Sequence, residues 1–168
     1  MSREAAVLIT VAIAVLILVA MFIGWRRRLR RDAALEAPLG VPEHTEVVAR
    51  HEVLYVATTA HDQPLERIAM KPLAYRARGE LALTDRGVAL SLDGSPTVFI
   101  ASSTLVTVDL ATVAIDRVVE TDGLIRLVWR VADGVLVDSF LRTVSVGAQQ
   151  ILPELARLSA GTENGEQS

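Results

Sequence analysis

The sequence predicts an N-terminal transmembrane helix followed by one mainly-β domain that a single C-terminal helix closes. Three observations carry this expectation. Residues 5 to 25 are 21 consecutive positions without a charge, rich in Val, Ile, Leu and Ala. From residue 47 onward, short apolar runs alternate with polar residues and are turned over about every 8 to 12 positions, the rhythm of a small barrel or sandwich. After Ser145 the apolar period changes from two to that of a helix.

At about 1.5 Å per residue the uncharged run makes roughly 31 Å of helix, the thickness of a bilayer's hydrocarbon core. Thr10 is its one conventionally polar member, and Trp25 ends it where an indole favours the headgroup region. A secretory signal carries its positive charge before the apolar stretch and a small-residue cleavage site after it. Here Trp25 and the arginines 26, 27, 28, 30 and 31 follow instead, so retention as an anchor is expected. Basic residues beside a span stay in the cytoplasm, which puts residues 1–4 outside the cell membrane and the C-terminal domain inside. Arg26, Arg27, Arg28, Arg30 and Arg31 are the expected membrane-surface contacts, lying on anionic headgroups. Ala20 and Gly24 form one small-xxx-small pair, a spacing common by chance in an Ala-rich span.

Residues 26–46 read as a basic juxtamembrane segment and spacer, because Pro38, Gly40 and Pro42 forbid a continuous helix. Residues 47–160 form the domain and 161–168 a polar disordered tail. Within the domain, "EVLYVATT", "GELALT", "GVALSL" and "TVFIASS" are strands, and "LVTVDL" is a further strand or a connection. Asp85, Arg86 and Gly87 suit a hairpin turn. In "LIRLVWRV", Ile125, Leu127, Trp129 and Val131 point inward, while Leu124, Arg126, Val128 and Arg130 point outward. With Asp122-Gly123 before it and "ADG" at 132 to 134 after it, a three-strand meander from Val113 to Leu141 follows. Seven short strands result. With Ser145 as N-cap, Ala148, Ile151, Leu155 and Leu158 share one helix face, and Pro153 predicts a kink or a start near Gln150.

Composition narrows function. The chain of 168 residues has a net charge of −3, yet residues 32–168 hold 19 acids against 11 bases, about −8. Nucleic acid is a poor partner for such a domain. No cysteine is present, which removes disulfides and thiolate chemistry and fits a reducing compartment.

"GELALTDRGVALSL", "VAIDRVV" and "GLIRLVWRVADGVLVDSFL" resemble the bacterial branch of the pleckstrin-homology-like domains. That resemblance covers about residues 47 to 160 and implies a strongly bent, seven-stranded barrel plugged by one amphipathic helix. The whole chain is similar to small actinobacterial single-span proteins loosely described as export or transporter proteins. A single span cannot itself alternate access, so transport is discounted. The resemblance implies binding rather than catalysis: an unidentified cytoplasmic protein partner, linked to pyrimidine biosynthesis, or else a lipid or small ligand at the inner membrane surface. Phosphoinositide-holding relatives place basic side chains around the first hairpin, and here Arg67, Lys71, Arg76 and Arg78 stand in the matching stretch as an anionic-ligand patch. His61, Asp62 and Glu66 dilute its charge, and solvated strand ends are the plainer reading.

The sequence contains neither G-x-S-x-G nor G-x-x-x-x-G-K, and Lys71, the one lysine, precedes Pro72. His44, His51 and His61, with Glu43, Glu52 and Asp62 nearby, are spaced unlike standard metal ligands. Asp109 and Asp116 are a carboxylate pair on which nothing else converges, and Trp129 reads as core. The expectation is a non-catalytic, membrane-anchored interaction or scaffolding module with no cofactor and no metal.

Overall fold

A computed structural model describes residues 3–33, 35–111, 113–114, 117–118, 123–131 and 134–160. The chain divides into two compact units, Met1–Ala34 and Leu35–Ser168.

The first unit is helix α1, Arg3–Ala33, which continues through the arginines instead of stopping at Trp25. Its stretch Val7–Arg27 is long and apolar enough to cross a membrane, and none of its residues is buried. By length and composition it is an anchor or a signal sequence. Phe22 and Trp25 lie with ring centroids 6.0 Å apart, and the Arg26 guanidinium sits 5.9 Å over the Phe22 ring. That contact spans one helical turn and orders a cation over an aromatic face where the apolar run ends.

The second unit is a bent antiparallel sheet. Its strands are β1 (Val47–Ala60), β2 (Gln63–Arg67), β3 (Ala77–Thr84), β4 (Gly87–Leu92), β5 (Val98–Ala101) and β6 (Leu105–Ala111). After the short pair β7 (Val113–Ala114) and β8 (Arg117–Val118) come β9 (Leu124–Arg130) and β10 (Leu136–Thr143). The order β5-β4-β3-β1-β10-β9-β6 is a path of seven strands, with β2 added beside β1. "LVTVDL" is therefore a strand. The meander runs through β6, β9 and β10, whereas Val113 belongs to the separate β7–β8 pair, and Asp122, Ala132 and Asp133 lie outside the described residues.

Fourteen-residue β1 pairs with three other strands, and its register against β10 shifts between Tyr55 and Ala57. Such a bulge increases local bend and twist, which lets one strand serve both sides of the fold. The β3–β4 turn pairs Thr84 with Gly87, as Asp85-Arg86-Gly87 predicts, and Gly87 has φ 151°. A Cβ there would meet the Ile100 carbonyl oxygen at 2.2 Å, so only glycine fits against β5.

Helix α2, Ala148–Ala160, buries Ala148, Ile151 and Leu155 against the open side of the sheet. Pro153 is accommodated inside it. Ser145 is not the N-cap: the helix starts three residues later, Gly147 accepts from the Gln150 N–H at 3.0 Å, and the Ser145 hydroxyl reaches Glu52.

Sheet and helix enclose one filled interior. Val53, Leu81, Leu90, Ile100, Leu127 and Leu141 are among its fully buried members, and Trp129 is buried with them. The polar atoms of this interior form a chain. Trp129 Nε1 donates to Ser139 Oγ at 2.9 Å, and Ser139 Oγ lies 2.7 Å from Thr58 Oγ1. Thr58 Oγ1 lies 2.9 Å from the Tyr55 hydroxyl, which lies 2.7 Å from the Leu73 carbonyl. A carbonyl only accepts and an indole N–H only donates, so the two ends are fixed: Trp129 donates to Ser139, and the Tyr55 hydroxyl, which also faces Thr58 Oγ1, donates to the Leu73 carbonyl.

Burial pushes the Tyr55 hydroxyl well above its ordinary value, with the Thr58 hydrogen bond acting in the opposite sense. A raised phenol favours folding in full below the unfolded value of 10.0 and loses that contribution as pH climbs past it. Urea unfolding of the full chain should therefore show a fall in stability between about pH 9 and 11 that is smaller in Tyr55→Phe. At pH 7 that variant should be less stable by about 1–3 kcal/mol, because the Leu73 carbonyl loses its donor.

Candidate functional site

Because the interior is filled, recognition falls to the outside of the barrel. The stretch between β1 and β3 is the most elaborate feature there. It opens on a two-residue turn, His61-Asp62, in which Asp62 takes φ 57°, a left-handed conformation that aspartate tolerates better than most residues. After β2, the Ile68 N–H donates to the Thr58 carbonyl at 2.9 Å, and Ile68, Met70 and Leu73 are sunk into the core. These pegs hold the returning segment against the barrel. What it displays outward is Tyr75, 81% exposed, while β2 displays Leu65, 82% exposed. Single exposed apolar residues are ordinary; an exposed tyrosine followed by Arg76 on a pegged loop has the composition of an interface anchor.

The four basic residues singled out in sequence take different positions. Arg76 and Arg78 are exposed, and Arg78 pairs through its backbone with β1. Arg67 is half-buried, with a long 3.5 Å hydrogen bond to the Val56 carbonyl and a buried Nε lacking a partner. Lys71 lines a cleft.

That cleft, about 770 Å³, has a floor the sequence did not anticipate. Residues expected as spacer are laid on the free edge of β5: Leu39 bridges Val98, the Phe99 N–H donates to the Pro38 carbonyl at 2.9 Å, and Gly40 N–H to the Thr97 carbonyl at 2.9 Å. Ala37 is buried and Leu35 packs on the core. This strap contributes residues 36–39 to the cleft, opposite Lys71, Thr104, Arg130 and Val131.

A second polar group sits on the outer face of β9 and β10. Arg126, expected to be exposed, is 29% exposed and donates through Nε and Nη2 to both Asp109 oxygens at 2.8 and 2.5 Å. Its Nη1 lies 3.7 Å from buried Asp138 and 3.9 Å from Asp62. Asp138 accepts from the Asp62 N–H at 3.2 Å and meets His61 Nδ1 at 2.7 Å. The Asp109 hydrogen bond is the main cause holding the guanidinium above its ordinary value, against the lowering effect of burial. Beside this network Leu124 and Phe140 form an apolar cluster with Val56 and Ala111, so Leu124, expected to point outward, is buried, and Val128 is buried as well.

The three histidines do not gather. His44 is exposed, His51 Nε2 approaches Glu154 at 3.5 Å, and His61 joins Asp62 and Asp138. Those two carboxylates already face Arg126, which supplies positive charge where a cation would have to lie. Asp109 is a structural partner of Arg126, and Asp116 lies outside the described residues. Sequence reading missed Arg130 and the strap as cleft components; the period-two pattern exposes Arg130 but gives no hint of what stands across from it.

A bent antiparallel sheet plugged by one C-terminal helix is the architecture of PH-like domains, a class of interaction modules that is generally non-catalytic. The chain belongs to the Bacterial PH domain-like family, whose model matches residues 34–155, strap included. No curated protein matches the chain.

The outer network should matter to stability in proportion to burial. Arg126→Met leaves the Asp138 carboxylate, 3% exposed, with His61 as its remaining side-chain partner, and should cost about 2–4 kcal/mol in chemical denaturation. Asp109→Ala removes a carboxylate that is 36% exposed and should cost about 1 kcal/mol or less.

Proposed function

We propose that the protein is a membrane-anchored, non-catalytic interaction module that holds a PH-like barrel at the cytoplasmic face of the cell membrane. The observation that carries this reading is Tyr75, 81% exposed beside Arg76 on a loop that Ile68, Met70 and Leu73 peg into the core. Tyrosine and arginine are enriched where protein contacts are strongest, because a rigid aromatic and a planar cation lose little entropy on binding. Residues 5–25 are the span in this reading, with residues 1–4 outside and Arg26, Arg27, Arg28, Arg30 and Arg31 on anionic headgroups. The barrel, strap included, is cytoplasmic, and residues 161–168 are its tail. The similarity to small actinobacterial single-span proteins makes enzymes of pyrimidine biosynthesis the first partners to test. Lipid or small-ligand binding is the second reading, favoured by the cationic residues of the cleft.

Two measurements test this. A reporter fused after Ser168 that fluoresces only in the cytoplasm should light up, and an exported, dark product overturns the orientation. A tagged full chain should co-purify a protein that Tyr75→Ala loses while its thermal midpoint stays within about 2 °C of the parent, as expected for a surface change. A partner equally retained by Tyr75→Ala moves the contact elsewhere.

A further inference from the structure

The cleft beside the strap has a composition that specifies a ligand. Its walls are largely apolar, from Ala37, Pro38, Leu39 and Val131, and its charged groups are Lys71, Arg130 and Glu36. Neither Lys71 nor Arg130 forms an ion pair with a carboxylate among the described residues, although carboxylates in this domain have captured Arg50 and Arg126. The Thr104 hydroxyl donates to the Ala101 carbonyl at 2.8 Å, which leaves Lys71 and Arg130 as the side-chain donors of the cleft lining. Its volume of about 770 Å³ falls within the ~300–1,000 Å³ of small-ligand sites.

We propose that this cleft binds a small amphiphilic anion: one acidic head, a phosphate monoester or carboxylate, held by Lys71 and Arg130, with a short apolar group against Ala37, Leu39 and Val131. The apolar half distinguishes this ligand from a bare polyphosphate headgroup, which would gain nothing from those walls. Glu36 opposes the head and limits the number of negative charges accepted. Because strap residues form one wall, an occupant bridges the strap to Lys71 and Arg130 and tightens the strap on the β5 edge. The inference is independent of the Tyr75 surface, and either can fail without the other.

The test uses the full chain in phosphatidylcholine nanodiscs, titrated by calorimetry with hexyl phosphate, hexanol and inorganic phosphate. Hexyl phosphate should bind, and each of the other two, lacking one half of the ligand, should bind at least about tenfold more weakly. Lys71→Gln and Arg130→Gln should each weaken hexyl phosphate about five- to tenfold, the worth of one exposed charge-assisted hydrogen bond. Glu36→Gln should tighten it about threefold, and Arg76→Gln, outside the cleft, should leave it unchanged. All four residues are exposed, so the variants retain the fold. Competition from phosphatidic acid placed in the nanodisc assigns the ligand to the bilayer, and lack of competition assigns it to solution; both support the site. Equal binding of hexyl phosphate and hexanol, or hexyl phosphate binding unchanged in the Lys71→Gln/Arg130→Gln double variant, overturns it.

Discussion

The relay of buried hydrogen bonds that links Trp129, Ser139, Thr58, Tyr55 and the Leu73 carbonyl is the constraint around which the barrel is built. Its members come from β9, β10, β1 and the loop before β3. Every member of this relay has a hydrogen-bond partner, and a partly made network would be worse than an apolar core. The relay fixes the register of β1 against β10 just where that register shifts, and it ties the Leu73 loop to the same seam. The polar side chains of this relay are occupied with one another and not with a guest. The proposed recognition therefore uses the connections, and the connection anchored by the Leu73 carbonyl is the one that exposes Tyr75.

The strap extends the same logic to an edge. An open β5 would present unpaired backbone groups to any passing strand. Residues 38–40 cover it with an economical pattern: Pro38, which has no N–H, supplies a carbonyl, and Gly40 supplies an N–H. Proline is confined in sheets to such positions, where the missing donor would face away from the ladder. The two hydrogen bonds and the burial of Ala37 make the strap part of the barrel unit, while Leu39–Val98 is a single bridge and not a ladder.

Local pattern made much of this legible. Alternation located β3, β4, β5 and β10, the helical period picked out Ala148, Ile151 and Leu155, and Trp129 was recognisable as core from its neighbours. What escaped were features whose partners are distant in sequence. Pro38 and Gly40 read as spacer because their breaking tendencies are local, whereas their pairing to Thr97 and Phe99 is not. Arg126 read as solvated because strand alternation gives the face and not what else lies on it; Asp62, Asp109 and Asp138 reach it from three other elements. Thr58 and Ser139 carried no signal at all, since a strand hydroxyl looks the same whether it meets water or another hydroxyl.

A modest surface is enough for the proposed role if the apolar helix does confine the barrel to a membrane. Tethering turns a second contact into a nearly intramolecular event, with effective concentrations that reach ~1 mM for short linkers. One exposed tyrosine with neighbouring arginines, or a cleft for one small anion, gives too little area for a tight complex between freely diffusing molecules. For a partner on the same membrane it does not have to. Weak contact combined with confinement also makes binding reversible, so the occupancy of a cleft walled by the strap becomes a variable that a small ligand can set.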